Sequence, residues 1–588
     1  MPIFFIAWDN FDYEKTVHHQ SLRKQAKHVS ATNGKLCIAN YMPNGGLKSS
    51  MFRPDVLLTV HDIYDGPGNR FDDISIQCQR HFVAEAIRST HKKAVASISN
   101  SLPSHSHPSV AQFPQFPTVE RLDRGKTLDF GLAPILENEG TLAGTAKVID
   151  EIYQSQLGLN APDDFVNNMY LAYGDQKTVS LVNSVKSYRA DSRSAYGRYK
   201  WILPLPGLFH WRMNFVDMVY DVFSGPDKGF SPLTTLRHNQ IYLRYKQGHN
   251  APFHHKEKLL MRSFEARVTA MLYDRIRWYC RCDERADIDR YIAEMSPSIF
   301  MDHVEAIREM IFKVEPEPES DTDEETVDEE SDEDEEAEAG ERVSGMEGVD
   351  EEFVSHCRFL QVMETYLTLK YAIKYADIEL IERMITRCCL LFHGSKKRKY
   401  ASLSLYMTWV TQTAAVTPEL RTAILANGLV NLRGADDAWF EIDRLIEFFN
   451  LQMKDLMIAR RSSTQSPDEL FRQVALNANY NTQLRSCFEE AFGKHSNSKH
   501  QVKDVSEDVY RLAHQLHTNN STKRFERGRK AEFVPADIIN ASVGDPLFKS
   551  VEKFNESQIV IDDTADLRPG SDDWLGTFSD DDGDINTN

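Results

Sequence analysis

Apolar residues fall into short continuous runs in the first part of the chain and into helical stripes in the rest. Ile3 to Trp8 is an unbroken apolar run of strand length, and Asp9-Asn10 is expected to end it. A second strand is expected from Lys35 to Tyr41, after the tight-turn dipeptide Asn33-Gly34, with the basic polar segment Lys15 to Lys27 between the two. Asp72 to Arg88 reads as a helix. Residues 97 to 117, with six Ser and four Pro, read as a loop. Met169 to Tyr173 is another short strand, closed by Gly174-Asp175-Gln176. Val179, Val182, Val185 and Tyr188 then share one face of a helix. Trp201 to Leu205 is a strand stopped by Pro204, Pro206 and Gly207, and Leu208 to Phe223 is an amphipathic helix. Strand, helix, strand, helix in so short a span is the rhythm of an α/β sheet.

After residue 230 the strand pattern disappears. Residues 255–313 read as helices, and Val354 to Phe392 contains no Gly or Pro and keeps helical spacing. Further helices are expected at 400–426, 438–459, 467–491 and about 503–517. The expected organisation is an α/β core over 1–230, a helical segment over 231–314, and a disordered acidic linker over 315–352. A helical insertion over 353–430 follows, then a helical part over 431–545 that closes the core, and a disordered acidic tail over 546–588.

Charge sharpens this division. The 588 residues carry a formal net charge of −20. Residues 315–352 hold 21 carboxylates against Arg342 alone, which leaves 67 bases and 67 acids elsewhere. Residues 561–588 add nine Asp against Arg568. The remaining body has 66 bases and 58 acids, so an acidic total describes two appendages on a mildly basic body. The acidic run cannot bury enough apolar surface to fold. No apolar stretch is long enough to span a membrane, and the first residues lack the basic start of a signal peptide. Eight scattered Cys form no CxxC pair, which points to a reducing compartment, cytoplasm or nucleus, and away from secretion.

Three places put acids where chemistry would use them. Asp9 sits at the expected end of the first strand, and Asp175 where a strand meets a helix. Inside the helix beginning near Trp439, Asp443, Glu447 and Asn450 form a polar stripe beside an apolar face, with Glu441 two residues before Asp443. Such carboxylates can share divalent metals for phosphodiester chemistry, with Mg²⁺ as the expected ion. An Asp closing a strand is equally a turn residue or a helix cap, and a carboxylate on an amphipathic helix is equally its solvated face. His210 begins a helix directly after a strand; it is either a capped or partly buried His, or a group beside Asp175 that binds phosphate or orients a carboxylate. Two basic clusters, Lys396-Lys397-Arg398-Lys399 and Lys523-Arg524 with Arg527, Arg529 and Lys530, read as a DNA-binding patch, an import signal or a solvated loop.

Trp8-Asp9-Asn10-Phe11-Asp12, Gly174-Asp175-Gln176-Lys177-Thr178, Pro204-Leu205-Pro206-Gly207-Leu208-Phe209-His210 and Phe440-Glu441-Ile442-Asp443 with Glu447 and Asn450 resemble an uncharacterised fungal family, domain of unknown function 6589. The resemblance runs from Ile3 to about residue 500. Members of that family are often longer at the N-terminus, so the resemblance implies a shortened start here. More distantly, the layout is similar to transposases with a ribonuclease H-like core that carry a helical insertion before their last acid. That resemblance implies an α/β ribonuclease H-like core with a large all-α insertion. It also implies a metal-binding trio of Asp9, Asp175, and Glu447 or Glu441, with His210 as an accessory group. Degenerate, inactive copies of such elements are common. The expectation is therefore a transposon-derived protein that binds or cleaves DNA; the alternative is a non-enzymatic helical scaffold whose acidic run binds basic partners.

Overall fold

In the computed structural model, described residues are 3–15, 27–70, 72–98, 113–226, 231–245, 251–281, 284–313, 349–459, 506–519 and 528–562, with isolated positions between 473 and 526. Strand β1 (Phe4–Lys15) pairs antiparallel along its whole length with β2 (Lys27–Ile38). The first strand therefore continues through Asp9-Asn10 instead of ending there, and Asn33-Gly34 lies inside β2, where Asn33 faces Asp9 and Gly34 faces Trp8. The Asn-Gly turn tendency is local, and a full antiparallel ladder outweighs it. Gly34 has a packing reason, because a Cβ there would press on the Leu132 side chain.

Strand β3 (Asp129–Gly131) pairs antiparallel with β2 on the far side. On the other side of β1, β4 (Tyr170–Gly174) runs parallel to it, and β5 (Ile202–Pro206) runs parallel to β4. The five-stranded sheet has the order β3-β2-β1-β4-β5, with only β2 reversed. Pro204 and Pro206 sit within β5 and do not stop it, because an edge strand tolerates a missing N–H. A two-stranded ribbon, β6 (Leu429–Val430) with β7 (Phe440–Glu441), adds β structure where only helix was expected.

We label the principal helices α1 (Asp73–Ile98), α2 (Leu142–Asp150), α3 (Gln176–Tyr188), α4 (Leu208–Phe223), α5 (Phe253–Cys280), α6 (Pro297–Phe312), α7 (Glu351–Tyr375), α8 (Ile378–Gly394), α9 (Arg398–Gln412), α10 (Pro418–Asn427), α11 (Ile442–Ala459), α12 (Ser506–Thr518) and α13 (Asp545–Asp562). The stretch Val354 to Phe392 is two helices. Ala376 turns left-handed at φ 53°, and the Asp377 carboxylate caps the second helix at Leu380 N. The helix expected over 467–491 falls almost wholly outside the described residues.

Alternation along the strands builds a core on each face of the sheet. Ile6, Trp8, Ala172 and Ile202 pack with Val148, Tyr153 and Trp201 on one face. Phe5, Ala7, Leu171, Tyr173 and Leu203 face the other way, and their cluster runs on without a break through the helical half. The helices over 353–430 thus share the sheet's core and have none of their own. Two stretches expected to be disordered are helical where they are described. Asp350 caps α7 and Glu351-Glu352 open it, so the last residues of the acidic run are helical. Residues from 545 form α13, held by buried Leu547, Val551 and Phe554 at helical spacing, where a disordered tail had been expected from 546. No helix among the described residues is long and apolar enough to cross a membrane.

Candidate active site

β1 and β4 are registered in parallel at Ile6 with Ala172 and Ala7 with Tyr173. Asp9 and Asp175 each lie two residues past the last of those pairs, so they come side by side, Asp9 in the middle of β1 and Asp175 just beyond the carboxyl end of β4. Asp9 is half-buried within β1, and one of its oxygens accepts the Asn10 backbone N–H at 2.8 Å. Asp175 is the N-cap of α3, accepting Thr178 N at 2.6 Å through Oδ1. The cap explains the local sequence without removing the carboxylate from the site.

The polar stripe of α11 faces the sheet. Asn450 donates to the Asn10 carbonyl at 3.2 Å and accepts from Asn33 Nδ2 at 2.9 Å, which docks the helix across β1 and β2. One and two turns earlier, Glu447 and Asp443 reach His210. The Asp443 carboxylate accepts Phe209 N at 3.1 Å and His210 N at 2.9 Å, so it caps α4 from another helix, and it also meets His210 Nδ1 at 3.0 Å. Glu447 Oε1 lies 3.7 Å from His210 Nε2. Gly207 is needed here, since a Cβ would collide with the Asp443 carboxylate.

The electrostatics follow from this crowding. Burial, the charge of Asp175 and that of Glu447 push the Asp9 carboxyl up to about 8, against the pull of His210 and the Asn10 N–H. Burial alone would lower the His210 pKa, but the Asp443 hydrogen bond and charge, with Asp9 and Asp175, carry it up to about 10. At neutral pH His210 is therefore an imidazolium inside a cluster of acids. One cation is not enough, because Asp9 still holds its proton far above the ordinary carboxylate range.

A fourth acid went unread in the sequence. Glu139, in the loop before α2, is buried, and its carboxyl is raised well above the ordinary value by burial and by Asp9 and Asp175. Oε1 accepts from Thr178 Oγ1 at 3.2 Å, and Oε2 has no partner. Glu139 stands in a loop with no periodicity, between Asn138 and Gly140, so no pattern marked it.

Glu441 is not part of this cluster. Fully buried in β7, it pairs with Arg212, which also holds Glu257 at 2.7 Å and the Tyr366 hydroxyl at 3.1 Å. That ion-pair network ties α4, α5, α7 and β7 together. Asp9, Asp175, Glu447 and His210 are brought together; Glu441 is a structural anchor next door.

The oxygen donors and the unmet negative charge suit a hard divalent cation such as Mg²⁺. Among the described residues, however, no three His, Cys, Asp or Glu already surround a common point as a metal would require. The His210 imidazolium supplies the cationic charge in this arrangement.

The basic clusters behave differently from each other. In the first, Lys397 pairs with Asp221 at 2.8 Å, while Lys396, Arg398 and Lys399 line a cavity beside α3. In the second, Arg529 pairs with Asp350 at 2.8 Å and Lys530 with Glu351 at 2.9 Å, clamping the start of α7. Those two residues are therefore committed to the fold, and Lys523, Arg524 and Arg527 lie outside the described residues.

A family model described as "Family of unknown function (DUF6589)" matches residues 71–501. The match takes in Glu139, Asp175, His210, Asp443 and Glu447, and begins after Asp9. No curated protein and no solved structure matches the chain.

Proposed function

We propose that this chain, which belongs to the family of unknown function DUF6589, is a transposon-derived DNA-processing protein with a ribonuclease H-like core. The observation that carries the reading is the joint one of topology and charge. A mixed sheet ordered β3-β2-β1-β4-β5 with only β2 reversed puts Asp9 and Asp175 side by side, and α11 brings Glu447 to them. Asp9, Asp175 and Glu447 would hold Mg²⁺, which would supply activation of water and stabilisation of the leaving oxygen in phosphodiester cleavage. Asp443 orients His210 through both ring and backbone contacts, and the imidazolium is positioned to meet a phosphate oxygen. Glu139, buried in the same cluster, has its carboxyl raised well above the ordinary value by burial and by Asp9 and Asp175, and adds a further acid to the site. Its fungal origin and its place in the nucleus or cytoplasm belong to the same proposal.

One observation favours a second reading, in which the site binds DNA without cutting it. His210, already protonated among the acids, fills the cationic role that a metal would take. The test is nicking of supercoiled DNA by the full chain with Mg²⁺ or Mn²⁺. Wild type should nick and Asp175→Asn should not, while Asn still caps α3 and preserves the fold. If the two behave alike in either metal, cleavage is refuted and the binding reading stands.

A further inference from the structure

Beside the carboxylate cluster, α3, the α8–α9 junction and α13 enclose a cavity of about 400 Å³. Its rim is cationic: Lys396, Arg398 and Lys399 come from the α8–α9 junction, and Lys553 from α13. Among the described residues no carboxylate lines it. Its inner wall is apolar and aromatic, with buried Phe392, Tyr406 and Phe554. A basic rim over an aromatic wall is unlike a solvated charge run, which has no concave apolar surface to cover. It is also unlike a plain anion site, which would need no aromatic wall.

The cavity adjoins the acids. Gln176, which lines it, follows Asp175 directly, and Tyr400 stands between the lining residues Lys399 and Ala401 while its hydroxyl is raised by burial and by the charges of Asp175 and Asp443. Lys397 pairs with Asp221 at 2.8 Å and does not line the cavity.

We propose that this cavity is a nucleoside phosphate subsite: the base lies against the wall at Tyr406 and Phe554, and Arg398 and Lys553 hold the phosphate. The size suits one nucleotide. Aromatic side chains stack any base, and Arg and Lys neutralise phosphate without reading sequence. The inference deepens the DNA-processing reading and rests on it for the identity of the strand, since a nucleotide seated here places the adjoining backbone beside Asp175.

The test uses the full chain in EDTA and the fluorescence anisotropy of a labelled single-stranded 12-mer of thymidylate. Arg398→Gln with Lys553→Gln should weaken binding about tenfold and flatten the logarithmic salt slope by ~1.4. Ser402→Trp should weaken it similarly by filling the cavity without changing charge. Lys549→Gln, on the same helix but outside the cavity, should bind as wild type does. Displacement of the 12-mer by thymidine 5′-monophosphate would assign the cavity to a free nucleotide; binding that needs the cavity yet resists this competitor would assign it to a nucleotide within a strand. The proposal is overturned if Ser402→Trp binds normally, or if the double variant and Lys549→Gln lose affinity equally while melting like wild type. A chain that never nicks DNA but loses binding in the cavity variants refutes cleavage and keeps the subsite. Nicking with unaltered binding in those variants does the reverse.

Discussion

Replacing Asp9 with Asn should stabilise the protein, and the gain should depend on pH in a defined way. Asp9 is raised from an ordinary value of 3.8 to about 8 by burial, Asp175 and Glu447, with His210 and the Asn10 N–H opposing. The native state therefore keeps a proton that the unfolded chain releases near pH 4. Stability falls as pH rises from about 4 to about 8, since folding must either retain that proton or bury the charge. At about 1.36 kcal/mol per pH unit, the distance corresponds to an upper bound of about 5–6 kcal/mol above pH 8. Asp9 retains some solvent contact and its charged neighbours can shift, so ~2 kcal/mol is the expected gain. Asn keeps the shape and can still accept the Asn10 N–H. Equilibrium urea denaturation of wild type and Asp9→Asn at pH 4.5 and pH 8.5 reads the effect directly. The variant should match wild type at the lower pH and exceed it at the higher. Equal stability at pH 8.5, or the same gain at both pH values, would refute the crowding of acids around Asp9.

Two further substitutions probe the frame of the site. Arg212→Met leaves the fully buried Glu441 without its close cation, while Glu257 keeps Lys370 at 2.8 Å, and should cost about 3–5 kcal/mol in the same denaturation assay; a loss below about 1 kcal/mol would mean that the Glu441 pair is hydrated. Gly207→Ala drives a methyl into the Asp443 carboxylate and should cost about 1–3 kcal/mol. It should also lower the His210 pKa, followed by the imidazole NMR signals, and an unchanged titration would refute the role of Asp443 as cap and orienter.

Much of the local structure was legible in the residues. Leu208 to Phe223 is helical over the expected span, because apolar residues at helical spacing, Gly207 before them and a basic-poor interior all agree. Val179, Val182 and Val185 are buried as their spacing implied, but Tyr188, expected on the same face, lies at the last turn of α3 and is exposed. Boundaries were read less well wherever a distant partner decided them. Asp9 looked like a stop, but β2 supplies hydrogen bonds far beyond it. Asn33-Gly34 looked like a turn, yet Asn33 is needed inside the strand to bond Asn450, which is remote in the chain.

What the sequence determined by itself was a set of short-range facts. These are the apolar period of each element, the segregation of acid into an appendage, and the presence of Asp443, Glu447 and Asn450 on one helical stripe. Tertiary structure decided what those facts mean. A polar stripe looks the same whether it meets water or a sheet, and only the docking of α11 on β1 turned it toward Asp9. Glu441 and Glu447 are close in sequence, but the sheet-side packing sent one to Arg212 and the other to His210. Glu139 joined the site through a loop with no pattern to reveal it. The physical reason is range: propensity and periodicity act over a few residues, whereas burial and charge coupling act through space between segments hundreds of residues apart.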